Sequence, residues 1–472
     1  MIDPSSPNTH DSKQGLTGYI ADYLQRWRYL SIPALLYLLH AAFLTGSLAI
    51  SALFFNLAID AMGYPRTFLG QLDSLAILVA ASLSLPLWWL VTRIGLRQAM
   101  IANAIIQATS VFIYAFWPAV VPLLFAVSLT GMGGVLFQVS AAPFMMRYSD
   151  SESRDHLFSA SASINIGVAG LGSFLAGPLP GIFARWLDVE AQSALAYRAT
   201  FVVAGFGLLL ALIPLLLIKE EHLNQSASAT TNTASRQWTG IIEQARGLWH
   251  ALVGRLRSLR SSPLIETIPE PYRGVVRRPW PVIQLLISPF LISCGAALTI
   301  RYLNLFFRER FGVGDELLGI IFATLSIATG IAALIGPIVS IRIGKIQTIA
   351  LIQALSIPFL LTMAFTPVLA IVFGAALIRA SLFNMASPLY DAFAMERTDE
   401  ALRPIVIGLV NGAYTAGYLI APLVSTWVQE HYGFTPLFVA TAIFYSSAML
   451  ANYWLFIHPK QPFLREKQTS NT

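Results

Sequence analysis

The chain has 472 residues, of which 56% are hydrophobic and 11% are charged, with a mean hydropathy of +0.65. Soluble domains usually carry roughly 25% charged residues, so this chain cannot cover its surface with charge in water and the bilayer is its expected solvent. The formal net charge of +6 does not indicate a nucleic-acid partner, because an excess of Lys and Arg in a membrane protein marks its cytoplasmic loops. The single cysteine, Cys294, excludes an intramolecular disulfide and a CxxC metal or redox site.

The chain begins with a polar stretch, residues 1–30, that has no apolar core of the kind found in cleavable signal peptides. We interpret this stretch as a cytoplasmic tail, and the first apolar run as an uncleaved signal-anchor. Twelve apolar segments follow, each long enough for a transmembrane helix of about 20 residues. Their approximate limits are 31–58, 67–91, 98–117, 120–146, 157–183, 197–218, 281–307, 316–341, 346–366, 367–394, 403–428 and 434–457.

The basic residues are distributed unequally between the connections. Most of them lie in the N-terminal tail, the even-numbered connections and the C-terminal tail, whereas Arg301 and Arg379 lie within spans. The odd-numbered connections hold Arg66, Arg185, Arg198, Arg308 and Arg310. The positive-inside rule therefore predicts a multi-pass protein of the cell (inner) membrane with both termini in the cytoplasm.

One long connection, 219–280, separates a six-span segment, 31–218, from a second one, 281–457, which a short cytoplasmic tail, 458–472, follows. The connection begins with a tract rich in Ser, Thr, Asn and Ala, which is typical of a flexible linker. Apolar residues at helical spacing with interleaved arginines come next, and they predict a basic amphipathic helix on the cytoplasmic leaflet. We interpret the connection as a tether between the halves, with a regulatory or partner-binding site as the alternative.

The two six-span segments contain an internal repeat. Four patterns recur in the same order at displacements of 244 to 249 residues. They are Asn56-Leu57 with Gly63 and Leu69-Gly70 against Asn304-Leu305 with Gly312 and Leu318-Gly319, Arg93-Ile94-Gly95 against Arg342-Ile343-Gly344, Pro143 against Pro388, and Gly177-Pro178-Leu179 against Ala421-Pro422-Leu423. Because each half has an even number of spans, both halves enter the membrane in the same orientation. The predicted fold is an all-α membrane protein of 12 transmembrane helices in two parallel-repeat six-helix bundles.

The connections after spans two and eight resemble the cytoplasmic loop signature of the major facilitator superfamily, whose usual form is a Gly, then Asp-Arg, then Gly-Arg-Arg/Lys. Thr92 stands where the acid of that signature is expected. The matching residues are Arg93, Gly95 and Arg97 in the first copy and Arg342, Gly344 and Lys345 in the second. The resemblance implies that spans 1, 4, 7 and 10 line a central cavity, and that one half rocks against the other to give alternating access.

Polar side chains within spans are costly in hydrocarbon, so they are the candidate functional residues. Arg379, near the middle of span ten, needs an acid, backbone carbonyls or an anionic substrate as its partner. Arg301 lies nearer the outer face and can snorkel towards it. His40 is a candidate for substrate binding or proton relay, and equally for hydrogen-bonded packing. The candidate substrate-binding residues are His40, Gln138, Arg301, Tyr302, Asn304, Arg379 and Asn384.

The carboxylates avoid the middle of every span. Asp60 and Asp73 fall at the outer ends of spans one and two. Asp391 and Glu396 fall near the inner end of span ten, where we expect them to form gate or loop ion pairs with Arg397 and Arg403. The candidate gating and loop residues are Arg93, Gly95, Arg97, Arg342, Gly344, Lys345, Asp391, Glu396 and Arg397.

The sequence favours a secondary transporter of a small solute over an enzyme, because it contains no metal-spaced His/Asp/Glu cluster, no nucleophile with its base and no phosphate loop. The aromatic-rich spans favour export of an amphipathic compound, and the intramembrane arginines favour an organic anion. A non-transporting receptor or scaffold with the same fold is the alternative of another class. We expect a monomer in the lipid bilayer with a small-molecule substrate and a coupling proton or ion, and with no cofactor, metal, catalytic residue or nucleic-acid partner.

Overall fold

The computed structural model describes residues 30–150, 153–218 and 279–458. The predicted terminal tails and the central connection with its amphipathic segment lie outside these ranges. Within them, twelve helical spans are long and apolar enough to cross a membrane. The predicted twelve-span fold is therefore confirmed.

The first six spans, which we call the N-half (residues 30–218), form a helical bundle. Its helices are α1 Ile32–Ala61, α2 Arg66–Ile94, α3 Leu96–Phe116, α4 Val120–Arg147, α5a Arg154–Ala176, α5b Leu179–Leu187, α6a Ala194–Leu210 and α6b Leu212–Leu217. The fifth span is interrupted at Gly177-Pro178, because Pro178 lacks the N–H that a continuous helix needs. The sixth span is interrupted at Ala211, which separates α6a from α6b.

The last six spans, which we call the C-half (residues 279–458), repeat this arrangement. The helices are α7a Trp280–Thr299, α7b Leu303–Phe311, α8 Asp315–Ile343, α9 Lys345–Phe365, α10 Leu369–Glu396, α11 Arg403–Tyr432 and α12 Thr435–Asn452. A 3-10 turn, Ile300–Tyr302, joins α7a to α7b. The first span, which corresponds to the seventh in the repeat, is one continuous helix, α1. The two halves therefore differ at this point.

Two glycines make the tight reversals that the loop signature predicts. Gly95 joins α2 to α3 with φ 90°, and Gly344 joins α8 to α9 with φ 91°. Side chains other than hydrogen are disfavoured at such angles, so glycine is the residue that allows a one-residue turn between two antiparallel spans.

The two ends of the bundle differ in how the halves meet. We call the end where α1 meets α2 and α7b meets α8 the outer end, following the orientation that the sequence predicts; the orientation itself stays a prediction. The largest cluster of buried apolar side chains includes Phe54 of the N-half and Phe306 of the C-half, and it runs through both halves from the outer end. Towards the inner end the core divides into clusters that each belong to one half. The apolar core therefore joins the halves at the outer end.

Candidate functional site

Two close helix crossings bring the halves together, and both involve residues of the internal repeat. A Cβ atom on Gly70 of α2 would lie 2.7 Å from the carbonyl oxygen of Pro422 in α11. A Cβ atom on Gly319 of α8 would lie 2.7 Å from the carbonyl oxygen of Ser173 and 2.8 Å from Cα of Gly177, at the end of α5a. Small residues let membrane helices approach closely. Glycine is therefore needed at both crossings for the outer ends to meet.

The asparagine pair, Asn56 of α1 and Asn304 of α7b, also joins the halves. Nδ2 of Asn56 donates to the carbonyl oxygen of Arg301 at 2.8 Å and to Oδ1 of Asn304 at 3.0 Å. Nδ2 of Asn304 donates to the carbonyl oxygen of Leu53 at 2.8 Å. The two residues are 248 positions apart and both are buried, so repeat mates form a reciprocal contact between the halves.

An ion pair between a buried carboxylate and a partly exposed guanidinium lies next to the asparagine pair. Asp73, which is 3% exposed, lies about two turns inside α2 and pairs with Nη2 of Arg301 at 2.6 Å. The hydroxyl of Tyr302 donates to the second carboxylate oxygen at 2.8 Å. Asp73 lies in the outer part of its span, as predicted, but it is buried, and Arg301 pairs with it across the junction. The 3-10 turn in the seventh span lets two consecutive side chains reach one carboxylate of the opposite half.

More polar contacts between the halves lie at the outer rim. Arg66 forms ion pairs with Asp60 of its own half, at 3.5 Å, and with Glu309 of the C-half. The hydroxyl of Tyr197 donates to Asp315 at 3.1 Å, and Asp315 also pairs with Arg308 of its own half. The outer junction thus combines close helix crossings, paired amides and paired charges.

The predicted loop residues act within their own halves. Lys345 pairs with Glu396, and Nε of Arg403 donates to the carbonyl oxygen of Met395 at 3.1 Å. Arg397 lies over the ring of Phe393, with 5.0 Å between its Cζ and the ring centroid. Glu396 therefore pairs with Lys345 of the loop signature. The sequence had predicted Arg397 and Arg403 as its partners instead.

The other loop residues have similar local roles. Nε of Arg97 donates to the carbonyl oxygen of Leu215 at 2.9 Å, which ties the start of α3 to the end of α6b. Cζ of Arg93 lies 3.9 Å from the ring centroid of Trp89, and Arg342 is exposed. The contacts of Arg93 and Arg97 thus lie within the N-half, near the inner end.

A central cavity of about 480 Å³ lies between the halves. The N-half contributes α5a, and the C-half contributes the seventh to the eleventh spans. Its lining is mainly apolar and aromatic, with a few hydrogen-bonding groups and one charge. The residues that bear on its chemistry are Asn165, Ser326, Arg379, Phe383, Asn384 and Tyr418.

Arg379 supplies the charge of the central cavity. Arg379 is only 4% exposed, and its Nη2 donates to the hydroxyl of Tyr445. Its Cζ lies 5.0 Å from the ring centroid of Phe383 and 5.6 Å from that of Tyr445. Across residues 30–150, 153–218 and 279–458, Nε of Arg379 has no hydrogen-bond acceptor, and no carboxylate forms an ion pair with the guanidinium. This buried cation has a phenol and two aromatic faces as its partners.

A second cavity of about 320 Å³, the C-half cavity, lies nearer the inner end. It shares Phe383 and Asn384 with the central cavity, and Tyr445 lines it as well. Asp391 also lines it, and no residue in the described part of the chain forms an ion pair with this carboxylate. The expected loop ion pair of Asp391 was therefore wrong, because the side chain faces the cavity rather than the loop.

The remaining predicted residues lie elsewhere. His40 is fully buried inside the N-half, where its Nδ1 is hydrogen-bonded to the carbonyl oxygen of Ala211 at 2.8 Å. Gln138 is exposed on α4, and neither it nor His40 lines either of these two cavities. Asn384 lines both cavities and donates to the carbonyl oxygen of Ala380 at 3.0 Å. The packing role for His40, which the sequence left open, fits this placement.

The structure adds residues that the sequence analysis did not single out. Asn165, Gln353 and Asn411 are amide side chains within spans that line one of the cavities. Their polarity at membrane depth was a usable signal. The aromatic lining residues Tyr418 and Tyr445 gave no such signal, because aromatic side chains are common throughout these spans.

Comparisons with known proteins agree with this architecture. The chain matches the model of the Major Facilitator Superfamily over residues 35–403 and again over 285–471. No curated protein sequence gives a significant match. The nucleoside transporter NupG is 12% identical, with a TM-score of 0.65 over 90% of this chain and 100% of that one.

Two further solved structures are similar. A bacterial homologue of the human lysosomal transporter Spinster, inward-facing and unoccupied, is 14% identical, with a TM-score of 0.64 over 90% of this chain and 94% of that one. A D-xylose-proton symporter is 14% identical, with a TM-score of 0.60 over 89% and 96% of the two chains. At these identities the likenesses show the fold alone. Because the family model covers most of its length, the chain belongs to the Major Facilitator Superfamily and is a multi-pass membrane transporter rather than an enzyme.

Proposed function

We propose that this transporter carries a small organic anion by alternating access, and that Arg379 binds the acidic group of the solute in the central cavity. The observation that carries the proposal is the environment of Arg379, a buried guanidinium without a carboxylate partner in the described chain. Its position on the wall of a cavity between the halves leaves it accessible to a solute.

The cost of burying a cation supports this reading. Moving an ion such as a guanidinium out of water costs about several kcal/mol unless an opposite charge and hydrogen bonds compensate. The Tyr445 hydroxyl and the two aromatic faces compensate in part. Nε still lacks an acceptor in the described structure, and arginine presents its N–H groups in a fork that matches a carboxylate or phosphate. An anionic solute would supply the missing charge and acceptors together.

The rest of the cavity favours an organic rather than an inorganic anion. Phe322, Met363 and Phe383 present apolar surface to it, and Asn165 and Asn384 provide hydrogen-bonding groups. Ligand sites generally combine an apolar lining with a few polar groups that fix orientation. The lining therefore fits a solute with an apolar body and one acidic group.

Export of an uncharged amphipathic compound is the second candidate. The same apolar and aromatic lining supports it, since such a compound needs surface contact rather than a counter-ion. The two candidates differ in one respect, which is whether affinity depends on the charge of Arg379.

The outer junction supports the idea that the described structure is the state in which the outer end is closed. The polar contacts across the junction and the apolar core both join the halves there. If both termini are cytoplasmic, as the basic residues predict, this is an inward-facing state of an inner-membrane carrier.

A thermal-unfolding screen tests the proposal. The full chain, purified in detergent, would be heated with carboxylates, sulfonates and phosphate esters, each beside an uncharged amide or ester of the same shape. A solute that binds the folded protein raises its apparent unfolding temperature. We expect anions to stabilise the wild type, their uncharged analogues not to do so, and the effect to disappear in Arg379→Gln.

Two results would contradict the proposal. Equal stabilisation of wild type and Arg379→Gln by an anion would mean that Arg379 does not bind it. Stabilisation by uncharged amphipathic compounds alone, in both proteins, would favour the second candidate. Gln138→Ala is the matched control, because Gln138 is exposed and lies outside both cavities.

A further inference from the structure

One stripe of α10 runs past both cavities and carries a charge at either end. Its members follow one another at intervals of four positions: Arg379, Phe383, Ser387 and Asp391. Side chains at that spacing are neighbours on the surface of a helix. Arg379 lines the central cavity, Asp391 lines the C-half cavity, and Phe383 lines both. The two cavities therefore present a cation and a carboxylate along the same side of one helix.

The two charges do not neutralise each other. The rise along α10 from Arg379 to Asp391 is about 18 Å. The guanidinium lies beside the ring of Phe383, one turn nearer to Asp391, so a gap of roughly 10–15 Å remains between the charged groups. That gap is too long for an ion pair, and a single elongated solute can span it.

Asp391 lacks a counter-charge where it lies. It is half-buried, it forms no ion pair with any described residue, and it is the one charged side chain among the described residues that line the C-half cavity. Ser387 and Asn411, which line the same cavity, are exposed, so a solute can reach the carboxylate. A carboxylate held partly out of water favours a cation that can donate hydrogen bonds to it.

The rest of the C-half cavity fits an organic ammonium group better than a metal ion. Hard metal cations need several oxygen ligands, and in the described ranges no three His, Cys, Asp or Glu side chains are grouped to hold one. Aromatic rings attract ammonium groups. The aromatic residues that line this cavity are Phe383, Tyr390, Tyr414 and Tyr445. Ile292, Ile349 and Val410 add apolar surface for the carbon atoms beside the ammonium group.

We propose that Asp391 binds an ammonium group in the C-half cavity, and that the transported solute is therefore an elongated zwitterion. Its acidic group lies at Arg379 in the central cavity, its ammonium group lies at Asp391, and its apolar body passes Phe383 and Asn384, which line both cavities. This inference rests on the function proposed for Arg379, and it narrows the solute from organic anions in general to those that also carry a cation.

Straight-chain ω-amino carboxylates of increasing length provide the test. Each would be titrated against the full chain in detergent at neutral pH, where both of its groups are charged, and binding would be measured by the thermal shift. The parent carboxylate without the amine and the N-acetylated derivative serve as ligand controls. We expect the short amino carboxylates to gain nothing over their parents, and those long enough to span the gap to bind at least about tenfold more tightly than theirs.

Variants of the two charged residues assign the gain. Asp391→Asn should remove it and leave binding of the parent carboxylate unchanged, whereas Arg379→Gln should weaken both. Glu400→Gln is the matched control, because Glu400 is exposed beyond the end of α10 and lines neither cavity. The N-acetylated derivative removes the cation from the ligand instead of its partner from the protein, so it remains informative if Asp391→Asn fails to fold.

Failure of this inference and failure of the proposal for Arg379 give different results. Amino carboxylates that bind no more tightly than their parents at any length, or a gain that survives in Asp391→Asn, would overturn the ammonium site and leave the anion site standing. If no carboxylate binds, the anion site fails, and straight-chain alkylamines then decide about Asp391 alone. They should stabilise Arg379→Gln but not the double variant with Asp391→Asn, and alkylamines that stabilise neither protein would overturn the ammonium site too.

Discussion

Arg301 and Arg379 both lie within spans of the C-half, yet their surroundings differ in one decisive respect. Arg301 meets the carboxylate of Asp73 at the junction with the N-half. Arg379 meets phenol and aromatic faces beside a cavity, without a carboxylate partner in the described residues. Arg301 therefore joins the two halves at the outer end, whereas Arg379 lines a cavity, where we propose that it binds a solute. On that proposal, the presence or absence of a carboxylate partner in the described chain distinguishes the two arginines.

The largest expected effect comes from removing each guanidinium in turn. Arg301→Ala leaves the buried carboxylate of Asp73 without its counter-charge. Breaking a fully buried ion pair costs about 3–5 kcal/mol, and we expect the lower end of that range because the side chain of Arg301 is 37% exposed. Arg379→Ala removes a charge that has no carboxylate partner in the described residues, so its loss of stability in the absence of solute should be smaller, limited to the hydrogen bond with Tyr445 and the contacts with two aromatic rings. Unfolding of both variants in detergent at neutral pH measures the difference.

Equal losses of stability in Arg301→Ala and Arg379→Ala would contradict the distinction between a paired and an unpaired arginine. A loss confined to Arg379→Ala would reverse it, since Arg379 would then have a structural partner and Arg301 would not. Anion-dependent stabilisation should show the opposite order, with Arg379→Ala insensitive and Arg301→Ala still responsive.

A smaller effect should come from the asparagine pair, which contacts the backbone of Arg301. Asn56→Ala and Asn304→Ala each leave buried amide or carbonyl groups without partners, at a cost of about 1–3 kcal/mol. Because the two side chains share a hydrogen bond, the double variant should lose less than the sum of the single ones, with a coupling of about 0.5–3 kcal/mol. Strict additivity in a double-mutant cycle would mean that the pair does not act as a unit.

The smallest effect should come from Tyr445→Phe. This change removes the described hydrogen-bond acceptor of Arg379 and keeps the aromatic face beside it. The freed N–H of the guanidinium becomes available to the acidic group of a solute, which no longer competes with the phenol for it. We therefore expect anion affinity to rise by up to about tenfold, measured by titration of the thermal shift. A loss of affinity would show that the hydroxyl itself contacts the solute.

Much of the architecture could be predicted from local features of the sequence. Hydropathy predicts the twelve spans because each must be apolar over the thickness of the bilayer, and the repeat predicts the parallel halves. The turn glycines Gly95 and Gly344 were visible because a one-residue connection has few alternatives. Each of these features is decided by residues close together in the chain.

The pairing of functional side chains was not predictable in the same way. Which face of a helix meets a neighbour depends on its rotation and depth in the bundle, which a single span does not reveal. The sequence therefore did not reveal that His40 lies inside the N-half, or that Asp391 lines a cavity instead of contacting the loop. Asp73 and Arg301 were separate candidates in the sequence, because the break in the seventh span that unites them has no counterpart in α1.

The reciprocal contact of Asn56 and Asn304 has the form of an isologous interface, in which one residue meets its own counterpart across a two-fold axis. A six-helix polypeptide associating with an identical copy would need just one asparagine at this depth to form the whole contact. Fusion of two copies into one gene frees each position to diverge. Leu53 now corresponds to Arg301, and Phe322 to Asp73, so the charged contact exists once. A symmetric amide contact thus lies beside a charged contact that has no counterpart in the repeat.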